Sequence, residues 1–230
     1  MSEVVNPALG DDVLERCARL PLKPEAVVLE GRFVRLEPLD LSEHLEALHV
    51  ISNGEAIRIG ARETAAYDAE AVIWRYMFNG PFANAAALGE TLKGQIEAAN
   101  GLTFCVIDRT LGHPVGVVNY MNNVPTFLKI ELGSIWYSPL AQRTNANLEA
   151  TYLMLEHAFG LGYRRVEWKC DALNARSRKS ALRMGFQFEG IQEAHMIVKG
   201  RNRDTAWFRM LEWEWPTARV ALENLLAREA

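Results

Sequence analysis

The chain has 230 residues, of which 49% are hydrophobic and 23% charged, with a formal net charge of −4. These are the proportions of a soluble globular chain that buries a core without staples. The acidic balance argues against a nucleic-acid partner, whose binding domain or face is basic. The lack of any apolar run of about 18 residues argues against a membrane span. The three cysteines, Cys17, Cys105 and Cys170, are far apart and form no CxxC pair. No metal site is therefore expected, and the odd count fits a reducing cytoplasm. The opening MSEVVNPALGDDVLERC is acidic and lacks the basic and apolar regions of a secretory signal.

Residues 1–30 read as an N-terminal extension, punctuated by Asn6-Pro7, Pro21 and Pro24, with a short helix over Asp11 to Leu20. Phe33 to Glu37 alternates apolar and charged residues, as a half-buried strand does. Leu41 to Ile51 reads as a helix with Ser42 as N-cap and Leu45, Leu48 and Ile51 as its apolar stripe. A second helix is predicted over Glu63 to Phe78, ending near Asn79-Gly80-Pro81, and a third over Asn84 to Asn100. Strands follow at Thr103 to Asp108, Val115 to Met121 and Lys129 to Tyr137, with a turn at Leu111 to Pro114 between the first two. Asn145 to Leu161 is a helix with Leu148, Tyr152, Leu155 and Phe159 on one face. Arg165 to Cys170 is a strand and Asn174 to Met184 a short basic helix. Phe186 to Val198 and Asp204 to Trp213 read as a hairpin turning at Gly200 to Asn202. Pro216 to Arg228 is a last helix within a C-terminal segment, 216–230. No repeat, low-complexity tract or linker appears, so residues 31–215 are read as one α/β domain around a mixed sheet.

The stretch from Glu131 to Gly190 is the most informative. It runs strand, helix N-terminus, strand, helix N-terminus, a layout that can hold a large phosphorylated ligand along its length. Gln142-Arg143-Thr144-Asn145-Ala146-Asn147 lies where a strand gives way to a helix, with unpaired backbone N–H groups and partial positive charge. Taken alone, such a turn is more often a helix cap than a phosphate site. Asn174-Ala175-Arg176-Ser177, followed by Met184-Gly185-Phe186, is likewise an N-cap with a basic face when read in isolation.

Together these residues resemble the GNAT acyltransferases, in the branch similar to the ribosomal-protein N-acetyltransferases RimJ and RimL. The resemblance covers about residues 32–215 and extends to Glu149-Ala150 and to the late segment Arg201 to Trp207. It implies a GNAT fold, with a mostly antiparallel twisted sheet of about seven strands flanked by helices. It also implies acetyl-CoA as co-substrate and no metal. The loop stands where the family has Gln/Arg-x-x-Gly-x-Gly/Ala gripping the pyrophosphate. Gln142 matches the first position, and Asn145 and Asn147 replace the small residues; Asn tolerates left-handed backbone, so the turn stays possible. By the same resemblance, Gln142, Arg143, Thr144, Asn145, Ala146 and Asn147 hold the pyrophosphate, and Ile135, Trp136 and Tyr137 line the pantetheine path. Asn174 orients the arm, and Ser177 assists the departing thiolate. Arg176, Arg178, Lys179 and Arg183 offer charge for the 3′-phosphate, with Arg178 and Lys179 put forward for that role.

Glu131 stands where several relatives carry a catalytic glutamate. An amine attacks a thioester only when neutral, and near pH 7 most amines are protonated, so a carboxylate that takes the proton is useful. A structural glutamate at a strand edge is an even alternative, with Tyr120, Tyr137 and His195 as reserves for proton transfer. A backbone N–H near Ile135 to Tyr137 would polarise the carbonyl. His157 and Cys170 read as packing residues, since neither shows a partner base. His44 and His49 lack the spacing of a helical zinc pair. Trp74, Tyr76, Met77, Phe78 and Phe82 read as core first and as an acceptor pocket second. The late hairpin is placed either to close the acceptor site or to mediate homodimerisation. The expected acceptor is a primary amine, a protein N-terminus on the RimJ/RimL likeness. The alternatives are a small amine such as an amino acid, polyamine or antibiotic, or a domain that binds acyl-CoA without turnover. An enclosed pocket around Trp74 to Phe82 favours the small amine, and an open groove favours a peptide.

Overall fold

A computed structural model describes residues 8–228, so Asn6-Pro7 and the last two residues of the C-terminal segment lie outside the described residues. The chain opens with α1 (Asp11–Arg19), β1 (Leu29–Glu30), β2 (Val34–Pro38) and α2 (Leu41–Val50). The cap of α2 is Asp40 rather than the expected Ser42: its carboxylate accepts from both the Ser42 N–H and hydroxyl, at 2.8 and 2.6 Å. A small hairpin, β3 (Ile57–Ile59) and β4 (Arg62–Thr64), follows.

The helix expected over Glu63 to Phe78 does not form. Glu63 and Thr64 pair with β3, and long-range hydrogen bonds hold the rest in an arch. Tyr67 N–H donates to Gly54 O at 2.8 Å, and Trp74 Nε1 donates to Ser52 O at 3.0 Å. Only one π-helical turn remains, Glu70–Trp74. Tertiary contacts here override local helix propensity.

Next come α3 (Ala85–Ile96), capped by Asn84, then β5 (Leu102–Asp108), β6 (His113–Val124) and β7 (Lys129–Tyr137). The remainder is α4 (Ala146–Leu161), β8 (Arg165–Asp171), α5 (Ala175–Arg183), β9 (Gln187–Val198), β10 (Arg201–Leu211) and α6 (Trp215–Arg228). The β9–β10 turn is Lys199-Gly200, both at positive φ (49° and 71°), as a two-residue hairpin turn requires. Arg201 and Asn202, expected in the turn, pair instead with Val198 and Ile197.

Eight strands, one more than expected, form one sheet in the order β1-β2-β5-β6-β7-β8-β10-β9. The extra strand, β1, is too short to show a period. All neighbours are antiparallel except β7 and β8. One face packs on α4, α5 and α6 through Leu132, Met154, Leu155, Val166, Phe208 and Leu222. The other packs under α2, α3 and the arch through Leu48, Leu88, Leu92, Val117 and Trp136.

Glu149, in the first turn of α4, is buried and ties that helix to the start of β2. Its carboxylate accepts the backbone N–H groups of Arg32, Phe33 and Val34 at 2.8, 2.6 and 2.7 Å. Replacing it with Ala strands three donors in a dry site. The expected loss for Glu149→Ala is about 3 kcal/mol, read as a fall of roughly 6–12 °C in a thermal melt.

Candidate active site

The site begins where the only parallel pair of the sheet comes apart. β7 and β8 run in register from Lys129–Arg165 to Leu132–Trp168 and no further. On its other edge, β7 bulges against β6: Val117 pairs with Trp136 and Asn119 with Gly133, leaving Ser134 and Ile135 opposite one residue. Ser134 takes φ 47° in this bulge. Such a bulge releases backbone groups from the ladder and re-aims them. The gap opens into a cavity of about 510 Å³ lined along one side by Gly133 to Tyr137 and along the other by Trp168 to Asp171.

Glu131 sits at the inner end of this cavity and is 1% exposed. Asn122 Nδ2 donates to its Oε2 at 2.8 Å, and Lys169 Nζ approaches the same oxygen at 3.0 Å. Oε1 lies against Gly133, where a Cβ would stand 2.9 Å from it. Burial pushes the Glu131 carboxyl above its ordinary value, and the Lys169 charge and the Asn122 hydrogen bond partly oppose that. The neighbouring Glu167 adds a smaller push upward, while it is itself paired to Lys129 and Arg165 at 3.2 and 2.7 Å. The arrangement is a carboxylate held at one oxygen, with the other turned to the cavity wall.

At the outer end, Gln142, Arg143, Thr144 and Asn147 line the cavity, while Asn145 and Ala146 do not. The left-handed residue of the loop is Arg143, at φ 63°; Asn145, one of the two asparagines expected to ease the turn, has φ −75°. Thr144 Oγ1 donates to Ala141 O at 2.7 Å and accepts from Ala146 N at 3.2 Å, so one helix-start N–H is capped internally. Asn147 and Leu148, the next residues of α4, have no intrahelical acceptor for their N–H groups.

From the opposite side, α5 presents Asn174, Arg176, Ser177, Ser180 and Arg183 to the cavity. Arg178 and Lys179 lie elsewhere: Arg178 donates to Ala172 O at 3.2 Å and stacks over Phe188. Asn174 Oδ1 caps α5 by accepting the Ser177 N–H at 3.1 Å, which leaves its amide nitrogen for another partner. Trp168 Nε1 donates to Ser177 Oγ at 3.0 Å. The Ser177 hydroxyl is also within hydrogen-bond reach of the Cys170 sulfur.

The arch forms a further wall of the cavity. Val72, Ile73, Tyr76, Met77 and Phe78 line the cavity, while Trp74 is buried against Phe82 and Trp136. Lys199, at the β9–β10 turn, pins the arch by donating to Trp74 O at 2.8 Å and Glu70 Oε2 at 3.0 Å. Of the reserve groups, Tyr137 lines the cavity. Tyr120 is locked in the core, donating to Met154 O at 2.5 Å, and His195 is bonded to Thr205 Oγ1 at 2.9 Å. His157 contacts Tyr120, away from the cavity, and burial raises the Cys170 thiol pKa, which keeps it protonated. Sequence reasoning missed Asn122 and Lys169 and had Arg203 only as part of the late hairpin; all three join the cavity or its glutamate through strand register. Among the described residues no group of His, Cys, Asp or Glu is placed to hold a metal, and no helix is long and apolar enough to cross a membrane.

The cleft fits a CoA thioester. It joins a helix start suited to phosphate to a split pair of strands, and two residues that line it, Asn147 and Tyr137, each carry a buried polar atom, Oδ1 and Oη, with no partner among the described residues. A pantetheine arm carries amides of the kind such atoms bind.

The Acetyltransferase (GNAT) domain profile matches residues 34–187. No curated protein matches the chain. Among solved structures, a GCN5-related N-acetyltransferase from Brucella melitensis is 40% identical, with TM-score 0.79, over 87% of this chain and 86% of that one. A probable acetyltransferase of the GNAT family from Chromobacterium violaceum is 33% identical, with TM-score 0.77, over 94% and 100%. The spermidine N-acetyltransferase of Vibrio cholerae, in complex with CoA and spermine, shares the fold at 17% identity and TM-score 0.62, over 81% and 99%. The split strands and the profile lead to one conclusion: this chain belongs to the GNAT family and is an N-acetyltransferase.

Proposed function

We propose that the chain moves the acetyl group of acetyl-CoA to the primary amine of a small molecule, by direct attack within a ternary complex. One observation supports the acceptor class: the pinned arch adds Val72, Ile73, Tyr76, Met77 and Phe78 to the lining of the cavity that Glu131 also lines. A bulky apolar wall of this kind suits a small amine better than an extended peptide, so the protein N-terminus suggested by the RimJ/RimL likeness is the less supported acceptor.

Each residue has a role that its surroundings allow. The Gln142–Asn147 turn and the start of α4 hold the pyrophosphate. Asn174, Asn147 and Tyr137 orient the arm, and Arg183 stands on the cavity side of α5 for the 3′-phosphate, while Arg176 donates to Ala71 O and Val72 O of the arch at 3.3 and 3.4 Å. Glu131 takes the proton of the attacking amine. The backbone freed by the bulge at Ser134 and Ile135 polarises the carbonyl. Ser177 gives a hydrogen bond to the leaving thiolate.

The test is release of free thiol from acetyl-CoA over a panel of amino acids, diamines, aminoglycosides and short peptides. Small amines are expected to turn over and peptides to fail. Ser177→Ala is expected to lower kcat about tenfold with little change in acceptor KM. Calorimetric binding of CoA with no thiol released on any acceptor would make the chain a binding domain instead.

A further inference from the structure

Resting on that reading, and narrowing its acceptor, we infer that the inner end of the cavity is built for an amine that also carries a carboxylate, and that Arg203 is the residue that receives it. Arg203 lies in β10, is 6% exposed and lines the cavity. Its Nε and Nη1 are buried and have no hydrogen-bond partner among the described residues. Its guanidinium stacks over Phe78 of the arch, 4.5 Å from the ring centroid. A buried guanidinium is ordinarily paired to a carboxylate or phosphate, because water is no longer there to satisfy its donors. Stacking on an aromatic ring fixes its plane but fills none of its N–H groups.

The neighbouring charges leave this demand open. Strand register places Glu131, Glu167, Lys169 and Asp171 along one face, with Trp207 opposite Lys169 and Thr205 opposite Asp171. Lys169 is committed to Glu131 at 3.0 Å and stacks over Trp207. Glu167 is committed to Lys129 and Arg165. Asp171 Oδ1 accepts the Leu173 N–H at 2.8 Å. Asp171 and Glu131 act on the Arg203 charge from a distance, and no ion pair joins either to it among the described residues. A bound carboxylate would supply the missing acceptors. The phosphates of the thioester carrier cannot, since their turn, Gln142 to Asn147, stands at the outer end. A ligand bridging the inner end would put its acid on Arg203 and its amine toward Glu131, the arrangement of an amino acid.

The test compares each acid with its own amide. Purified full-length protein with acetyl-CoA is offered the common α-amino acids, β-alanine and 4-aminobutyrate, their carboxamides, and putrescine, with thiol release as readout. Binding of the same compounds to the CoA-loaded protein is followed by calorimetry. At least one acid is expected to exceed its amide by about tenfold or more in kcat/KM and in affinity. Arg203→Gln should raise the KM of that acid about tenfold or more, leave its amide within about twofold, and leave the KM of acetyl-CoA unchanged; Arg203→Lys should recover part of the loss. Amides or putrescine used as well as every acid, a neutral peptide preferred to every free amino acid, or Arg203→Gln weakening acid and amide alike would overturn the inference. The acid-over-amide comparison uses the wild-type protein and so stands even if the variants misfold. Acid binding that Arg203→Gln abolishes, with no turnover of any amine, would uphold the subsite and overturn acetyl transfer; turnover of amines indifferent to a carboxylate would do the reverse.

Discussion

Glu131→Gln is expected to lower kcat/KM by about 10²- to 10⁴-fold, the range typical of losing a positioned general base. The substitution is close to isosteric and keeps an oxygen for the Asn122 amide that reaches Oε2 at 2.8 Å. The loss therefore reports the missing basicity. The pH profile separates this role from a structural one. Burial raises the Glu131 pKa above the ordinary carboxylate value of 4.5, so its base form is complete only above that raised value and is depleted as pH falls through it. Wild-type kcat/KM should then show an acid limb displaced upward from that of a free carboxylate. In the variant that limb should vanish, leaving a rate that tracks only the ionisation of the amine, with unit slope below the amine pKa and a plateau above it. A variant that keeps the wild-type acid limb would assign the proton to another group.

The elements around the cleft were legible in the sequence because their signals are local. Leu148, Tyr152, Leu155 and Phe159 mark α4 by helical spacing, and β7 (KIELGSIWY) and β8 (RVEWKCD) show alternating polar and apolar residues between turns. Asn174 and Ser177 announce the start of α5 by capping chemistry, and the cap is there at 3.1 Å. What was not legible depends on which strands lie side by side. Lys169 meets Glu131 because β8 runs parallel to β7, and Arg203 reaches the same face because β10, not β9, is the next neighbour of β8. No spacing in the chain encodes that order. The arch failed for a related reason: Glu63 to Phe78 has the composition of a helix, but its hydrogen bonds go to Gly54, Ser52 and β3. Positive φ was equally hidden. Beside Asn122, which does suggest it, positive φ near the cleft falls on Ser134 and Arg143, residues that do not advertise left-handed backbone as Gly and Asn do. Both positions line the cavity, the kind of place where unusual backbone conformations concentrate.

Gly133→Ala is expected to separate activity from stability more sharply than any substitution of a polar residue. An added Cβ would clash with Met121 Sδ and stand 2.9 Å from Glu131 Oε1, so both side chains must move. Met121 is flexible and unbranched and can move at small cost. Glu131 cannot yield freely, because Asn122 and Lys169 hold its Oε2 at 2.8 and 3.0 Å. Rotating Oε1 away from Gly133 pulls the carboxylate off one of these partners or out of line with the amine. Overpacking of this kind costs about 1–3 kcal/mol, a fall of roughly 2–12 °C in a melt. A base displaced by a fraction of an ångström to an ångström costs up to about a hundredfold in rate. Stopped-flow or steady-state thiol release should therefore show kcat reduced by about ten- to a hundredfold in protein that melts cooperatively, with the KM of acetyl-CoA little changed. Glu149→Ala is the counterpart, lowering the melt while leaving kcat of the folded enzyme nearly intact, because the N–H groups it releases belong to Arg32, Phe33 and Val34, away from the cavity. If Gly133→Ala kept full kcat, Glu131 would not need its present position, and the base assignment would fail together with the bulge's role in aiming the site.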